Sequence, residues 1–180
     1  MKDRISIPKS IDESASIDDL RFIFNQAKDR ISVLTDDAEK LYQRSVVLIT
    51  IGITAITAII GYIGSNLVFS FSTMFLGTAG ALLWRALSQL KPNIIPKDYW
   101  GIGSHPKTLA TDAFFTKLEG KEPEWHLLYS EIISYQQRID ENIEINNERA
   151  ENIKDAINTI YSIPFMSIII LLLFAILGRL

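Results

Sequence analysis

The residues with the most chemical variety fall in one short stretch, KPNIIPKDYWGIGSHPKTL, residues 91–109. Gly101 and Gly103 can turn successive backbone N–H groups toward one point, and Ser104, His105 and Lys107 follow directly. Such a segment can form an anion nest. The candidate ligand-binding residues are therefore Lys97, Trp100, Gly101, Gly103, His105 and Lys107, for a phosphate-like group. The spacing is neither a Walker loop nor a dinucleotide fingerprint. Asp98 beside His105 lacks a nucleophile, so no catalytic residue is assigned and the chain is not expected to be an enzyme. His105 and His126 are the only histidines and there is no cysteine, so neither a metal site nor thiolate chemistry nor a cofactor is expected.

What positions that stretch is a chain of 180 residues in which 48% hydrophobic and 22% charged residues are segregated into blocks. A net charge of −3 without a basic block gives no reason to expect nucleic acid as a partner. The first apolar block starts near Ser45, behind a charged segment, so no cleavable signal peptide is expected.

Three apolar blocks are candidates for crossing a bilayer, which takes roughly 20 residues for about 30 Å of hydrocarbon. Residues 45–64, SVVLITIGITAITAIIGYIG, form the first, and residues 67–87 the second, so close behind that the two predict a helical hairpin. Residues 163–178 form a third, slightly short, which either spans or inserts shallowly. Lys40 and Arg44 precede the first block, and Arg85, Lys91 and Lys97 follow the apolar run of the second, which ends at Trp84, while the turn between the two is uncharged. Cationic flanks stay on the cytoplasmic side, so the N-terminus and the region after the hairpin are expected inside, with Arg179 a mild exception. The apolar cores contain no ionisable side chain apart from the phenol of Tyr62, which disfavours a pump or an ion-coupled transporter. Thr50, Thr54, Thr57 and Gly61 recur on one helical face, and Ser70, Thr73, Gly77 and Gly80 or Ala81 answer them. These stripes either pack the hairpin together or line a water-filled seam between protomers.

The polar blocks read as helices. Residues 1–15 form an aperiodic arm with Pro8. Ser16 and Asp19 then resemble a capping box for a cytoplasmic amphipathic helix over 16–44. Leu20, Phe24, Ala27, Ile31, Leu34, Ala38, Leu41 and Ser45 step by 4 and 3, a heptad seam that runs into the first span. A crossover loop with a short helix covers 88–121, with Pro92, Pro96 and Pro106 breaking helix. A long cytoplasmic helix over 122–162 starts at Pro123, and its seam is Trp125, Leu128, Ile132, Tyr135, Ile139, Ile143, Asn146, Ala150, Ile153, Ile157 and Ile160. A stutter is expected at Ile143, a register-setting role for Asn146, and a kink or interruption at Pro164. Both polar helices approach the bilayer from one side, which predicts a parallel stalk on the order of 40 to 60 Å long.

The expected fold is thus an all-α integral membrane protein: a transmembrane helical hairpin, a third C-terminal transmembrane helix and a cytoplasmic stalk of long parallel helices. This layout, with AEKLYQRSVVLITIGITAITAIIGYIG carrying Tyr42 and Arg44 into a tight hairpin and a long helix ending in NERAENIKDAINTI, resembles the SLATT-type membrane effectors of prokaryotic conflict systems. Those are the two-transmembrane proteins associated with SMODS and SLOG domains, and the layout is similar in outline to the Pycsar transmembrane effectors. The likeness covers roughly residues 30–162, and the third span departs from the two-span pattern. It implies a homo-oligomeric effector that perturbs the inner membrane when triggered by a nucleotide second messenger or a sensor protein. The alternative is a membrane-anchored helical adaptor that recruits a soluble partner through its stalk.

Overall fold

The computed structural model describes residues 15–65, 70–95 and 123–177, and within them the chain is helical throughout. Helix α1 is Ile17–Ser65, α2 is Phe71–Ile94 and α3 is Pro123–Leu177. The N-terminal arm, the second half of the crossover and the glycine-rich stretch lie outside the described residues.

Helix α1 begins at the capping box expected from Ser16 and Asp19. The Asp19 N–H donates to Ser16 Oγ at 3.2 Å, and the Ser16 N–H donates back to Asp19 Oδ2 at 3.0 Å. The Ser16 hydroxyl, which also donates to Asp19 Oδ2 at 2.7 Å, and then the Ser16 N–H hold the Asp19 carboxyl below its ordinary pKa of 3.8. From there α1 runs without a break through the polar block and the first apolar block, and all eight residues of its heptad seam are buried or half-buried.

Helix α2 starts at Ser70, where the Ser70 N–H donates to Thr73 Oγ1 at 2.8 Å and the Thr73 N–H donates to Ser70 Oγ at 3.4 Å. It continues to Ile94, past the boundary expected at residue 87, and takes Pro92 into its last turn. There a proline removes one ladder bond only, the one that would reach the Ser88 carbonyl, so the helix ends at Ile95 instead. Pro164 likewise does not interrupt α3, which is assigned as one helix of 55 residues. A single missing N–H inside so long a ladder is offset by the cooperativity of the turns around it.

The chain divides into two compact units, and α1 and α3 each contribute to both. In the first unit, residues 15–37 pack against residues 123–145 in parallel. Leu20 meets Trp125 and Ile132, and one layer on Ile31 and Leu34 meet Tyr135 and Ile139. Phe24 and Tyr135 pack edge to face with ring centroids 5.2 Å apart, while Trp125 stacks on Tyr129. Trp125 Nε1 donates to the Ala15 carbonyl at 2.9 Å, and Arg21 donates from Nε and Nη2 to Glu124 Oε1, so the two helix starts are tied side by side. The Glu124 carboxylate holds the Arg21 pKa above its ordinary value.

In the second unit, residues 38–65, 70–95 and 146–177 form three helical segments, with α2 antiparallel to the other two. Gly52 lies against Leu87 and Gly80 against Ile59. Ala86, Leu90 and Ala156 form a buried cluster covered by Leu48, Ile49, Ile153 and Ile160.

One expectation about α3 is corrected. Ile143 is half-buried and packs on the cluster of Ile31, Leu34, Tyr135 and Ile139, but Ala150 is exposed. The buried positions run Ile132, Tyr135, Ile139, Asn142, Asn146, Arg149 and Ala156, with Ile153 half-buried between the last two, at steps of 3 and 4. The helix keeps its register by burying two polar residues that an apolar pattern passes over.

Helices α1 and α3 are long and apolar enough to cross a membrane, and in each only 6% of the apolar window is buried within the chain. The described part of α2 alone does not reach that standard, and the expected span over 67–87 begins outside the described residues. Residues 67–69 lie outside the described chain, and Arg85 falls within what remains of that span.

Candidate functional site

The second unit has a polar centre where its three segments converge. Asn93 follows Pro92 in the last turn of α2 and is 1% exposed. Its Nδ2 donates to Ser45 Oγ at 3.0 Å on α1 and to the Arg149 carbonyl at 2.9 Å on α3. Its Oδ1 accepts from Asn152 Nδ2 at 2.9 Å. Ser45, fully buried, donates its own hydroxyl hydrogen bond to the Leu41 carbonyl at 2.9 Å. One amide thus bonds both other segments at once. Such a group is costly in an apolar interior unless all of its partners stay in place. Four residues from Asn93, Gln89 Oε1 accepts from Thr159 Oγ1 at 3.0 Å, a second tie between α2 and α3.

Arg149 supplies its carbonyl to this centre, and its side chain is also buried, with 8% of the residue exposed. The guanidinium Nε is sealed from solvent and has no hydrogen-bond partner among the described residues. Asn146 and Asn142 lie one and two turns earlier on the same buried face. Asn146 therefore occupies the seam position expected of it.

The other residues singled out from sequence are dispersed. Lys97, Trp100, Gly101, Gly103, His105 and Lys107 lie outside the described residues. Thr50, Thr54, Thr57 and Gly61 do share one face, but that face is exposed and does not pack the hairpin. The hydroxyls of Thr50, Thr54 and Thr57 donate to the carbonyls of Val46, Thr50 and Ile53, each at 2.9 Å, and no atom lies within 4 Å of a Cβ placed on Gly61. Back-bonding of this kind satisfies a threonine without a neighbouring helix. Ser70 and Thr73 are cap residues. Gly77 faces open space, and Gly80 would place a Cβ 3.6 Å from Ile59 Cγ2, an ordinary packing contact.

The close approach falls at Gly52, where a Cβ would stand 2.6 Å from Leu87 Cδ2. The sequence reading missed Gly52, Asn93 and Arg149. The one available signal was that each interrupts a pattern: Gly52 an apolar β-branched run, and Asn93 and Arg149 the polar ends of apolar seams.

No metal-ligand cluster occurs among the described residues. Compared with known proteins, the chain matches no family model, no curated protein and no solved structure.

Proposed function

We propose that the chain is a multi-pass protein of the inner (plasma) membrane, N-terminus and stalk cytoplasmic, that oligomerises and perturbs the bilayer when a cytoplasmic signal arrives. The observation that carries this reading is the pair of apolar windows in α1 and α3, 6% buried and each continuous with a polar, paired helical segment. Apolar surface of that extent needs lipid or further copies of the chain to cover it. Arg44 before the first window, with Arg85 and Lys91 on the returning helix, favours a cytoplasmic stalk. The exposed face of Thr50, Thr54, Thr57 and Gly61 is free within the chain to meet another protomer. The trigger remains of the class the resemblance implies, a nucleotide second messenger or a sensor protein.

The test is expression in bacterial cells, with membrane fractionation, membrane potential and dye entry followed under candidate triggers. Depolarisation and dye entry are expected. Gly52→Val should suppress both by prising α2 from α1 at Leu87, whereas Gly77→Val, in open space, should keep the hairpin intact. Recovery of the chain in the soluble fraction would overturn the membrane reading. A membrane-bound chain that never depolarises would overturn the effector reading.

That second outcome would favour the adaptor. Phe22 and Val33 are 65% and 48% exposed on the stalk portion of α1, apolar surface suited to a soluble protein partner. An adaptor should keep its partner when its spans are exchanged for unrelated ones.

A further inference from the structure

We propose that the exposed face of α2 selects acidic phospholipid, with Trp84 at the edge of the hydrocarbon, Arg85 on the headgroup phosphate and Lys91 adding attraction from the water side. The proposal rests on the membrane reading above and names the lipid chemistry that the second unit prefers.

Met74, Gly77, Ala81, Trp84, Ser88 and Lys91 step by 3, 4, 3, 4 and 3 along α2, and all six are exposed. The character of this stripe changes once along its length. It is apolar to Ala81, aromatic at Trp84 and polar to cationic beyond, with Arg85 exposed beside the tryptophan. That is the order of a lipid leaflet from chain to headgroup, and tryptophan is favoured at the junction. The ring is open to such contact, since Trp84 is 67% exposed.

Helix α3 marks the same height. Thr159 on α3 bonds Gln89 on α2 at 3.0 Å, and the two segments run antiparallel. Counted from that bond at about 1.5 Å per residue, Trp84 lies about 7.5 Å along, between Tyr161 at about 3 Å and Phe165 at about 9 Å. Tyr161 and Phe165 are each 72% exposed, and from Ala156 to Leu177 α3 carries no charge. Two helices thus pass from polar to apolar surface through exposed aromatics at one level.

Charge decides the kind of lipid. Helix α2 contains Arg85 and Lys91 and no Asp or Glu, and neither cation forms an ion pair among the described residues. Between Arg44 and Ser65 α1 is uncharged, and the last acid of α3, Asp155, has Lys154 beside it. Arg85 can offer its planar fork to a phosphate at the tryptophan's level. Lys91, six residues and about 9 Å further toward water, is within a Debye length of the same headgroup layer.

The experiment places the full chain in phosphatidylcholine nanodiscs that carry a minor fraction of brominated lipid, either phosphatidylglycerol or phosphatidylcholine. Tryptophan quenching is read, and the part due to Trp84 is the difference from Trp84→Phe. Brominated phosphatidylglycerol should quench Trp84 as if enriched about fivefold or more over brominated phosphatidylcholine, the scale of one cation at an acidic surface. The preference should fall most in Arg85→Gln, less in Lys91→Gln, and to near one in the double variant. Arg85→Lys with Lys91→Arg should retain it, and raised salt should weaken it in the native chain. Helicity is checked first by circular dichroism, and should the double variant fail to fold, the comparison is made with Lys91→Gln alone. Equal quenching by the two lipids, a preference that survives the double variant, or no quenching of Trp84 by either lipid would overturn the proposal. A chain that fractionates with the membrane but shows no preference sinks the lipid proposal alone, whereas a chain in the soluble fraction sinks the membrane reading with it.

Discussion

The two units are built from the same helices by opposite means. In the first, the interior is large and apolar, with Leu20, Ile31, Leu34, Trp125, Ile132, Tyr135 and Ile139, and exposed directional bonds fasten the helix starts at Ser16, Asp19, Arg21 and Glu124. In the second, small residues bring the segments close, and the directional bonds are buried at Asn93. Apolar layers reward burial without dictating which partner faces which, whereas a shared amide is satisfied in one register only. The first unit is therefore fastened by volume and the second by geometry. Only the second is expected to respond sharply to an isosteric change.

The largest effect should come from removing volume in the first unit. Trp125→Ala takes out a ring that is 7% exposed, packed on Leu20 and stacked on Tyr129, along with the bond to the Ala15 carbonyl. A loss of about 3–5 kcal/mol is expected from such a truncation. It should appear as faster hydrogen exchange over residues 17–37 and a lower unfolding midpoint. Unchanged exchange there would mean that the aromatic layer does not hold the first unit.

A smaller but more discriminating effect is expected at Asn93. Asn93→Asp preserves shape and keeps an acceptor for Asn152, but it replaces the donor facing Ser45 Oγ and the Arg149 carbonyl with an oxygen. The lost bonds and the facing carbonyl predict destabilisation of about 2 kcal/mol or more at neutral pH. Exchange should rise at residues 146–153 while residues 17–37 stay protected. An aspartate tolerated without loss would put the second unit in the same class as the first.

The contrast also explains what could be read from the sequence. The seam of α1 was legible from Leu20 to Ser45 because nearly every buried position is apolar and the 3–4 spacing is unbroken. On α3 the same method works to Ile143 but passes over Asn142 and then drifts to Ala150, because it ranks isoleucine and alanine above the Asn142 and Arg149 that the helix buries. The sequence predicts a break at Pro92 and a kink or interruption at Pro164 because the local cost of a proline is visible there and the support of a long helix is not. Gly52 looks like any other glycine in an apolar run until Leu87 is placed against it. Asn93 has no meaning as a bond centre until two distant segments are brought to it. Volume and period are written locally, whereas close approach and shared bonds belong to pairs of segments.

The smallest effect sharpens the comparison from the other side, at the exposed bonds of the first unit. The Asp19 carboxyl is held below its ordinary value of 3.8, first by the Ser16 hydroxyl and then by the Ser16 N–H. A carboxyl with a depressed folded pKa stabilises the folded form above the unfolded value, and that contribution is lost as the pH falls through the folded one. Stability of the α1 start should therefore be flat from neutrality to about pH 5 and decline below about pH 4. Asp19→Asn should remove this slope, so that the native chain and the variant converge in acid. Exchange of the amides at residues 17–20, followed against pH, measures both. Because Asp19 is exposed and open to screening, the difference should shrink in salt, whereas the Asn93→Asp effect, sealed from solvent, should not. Equal salt sensitivity at the two sites would mean that burial is not what separates the two modes of fastening.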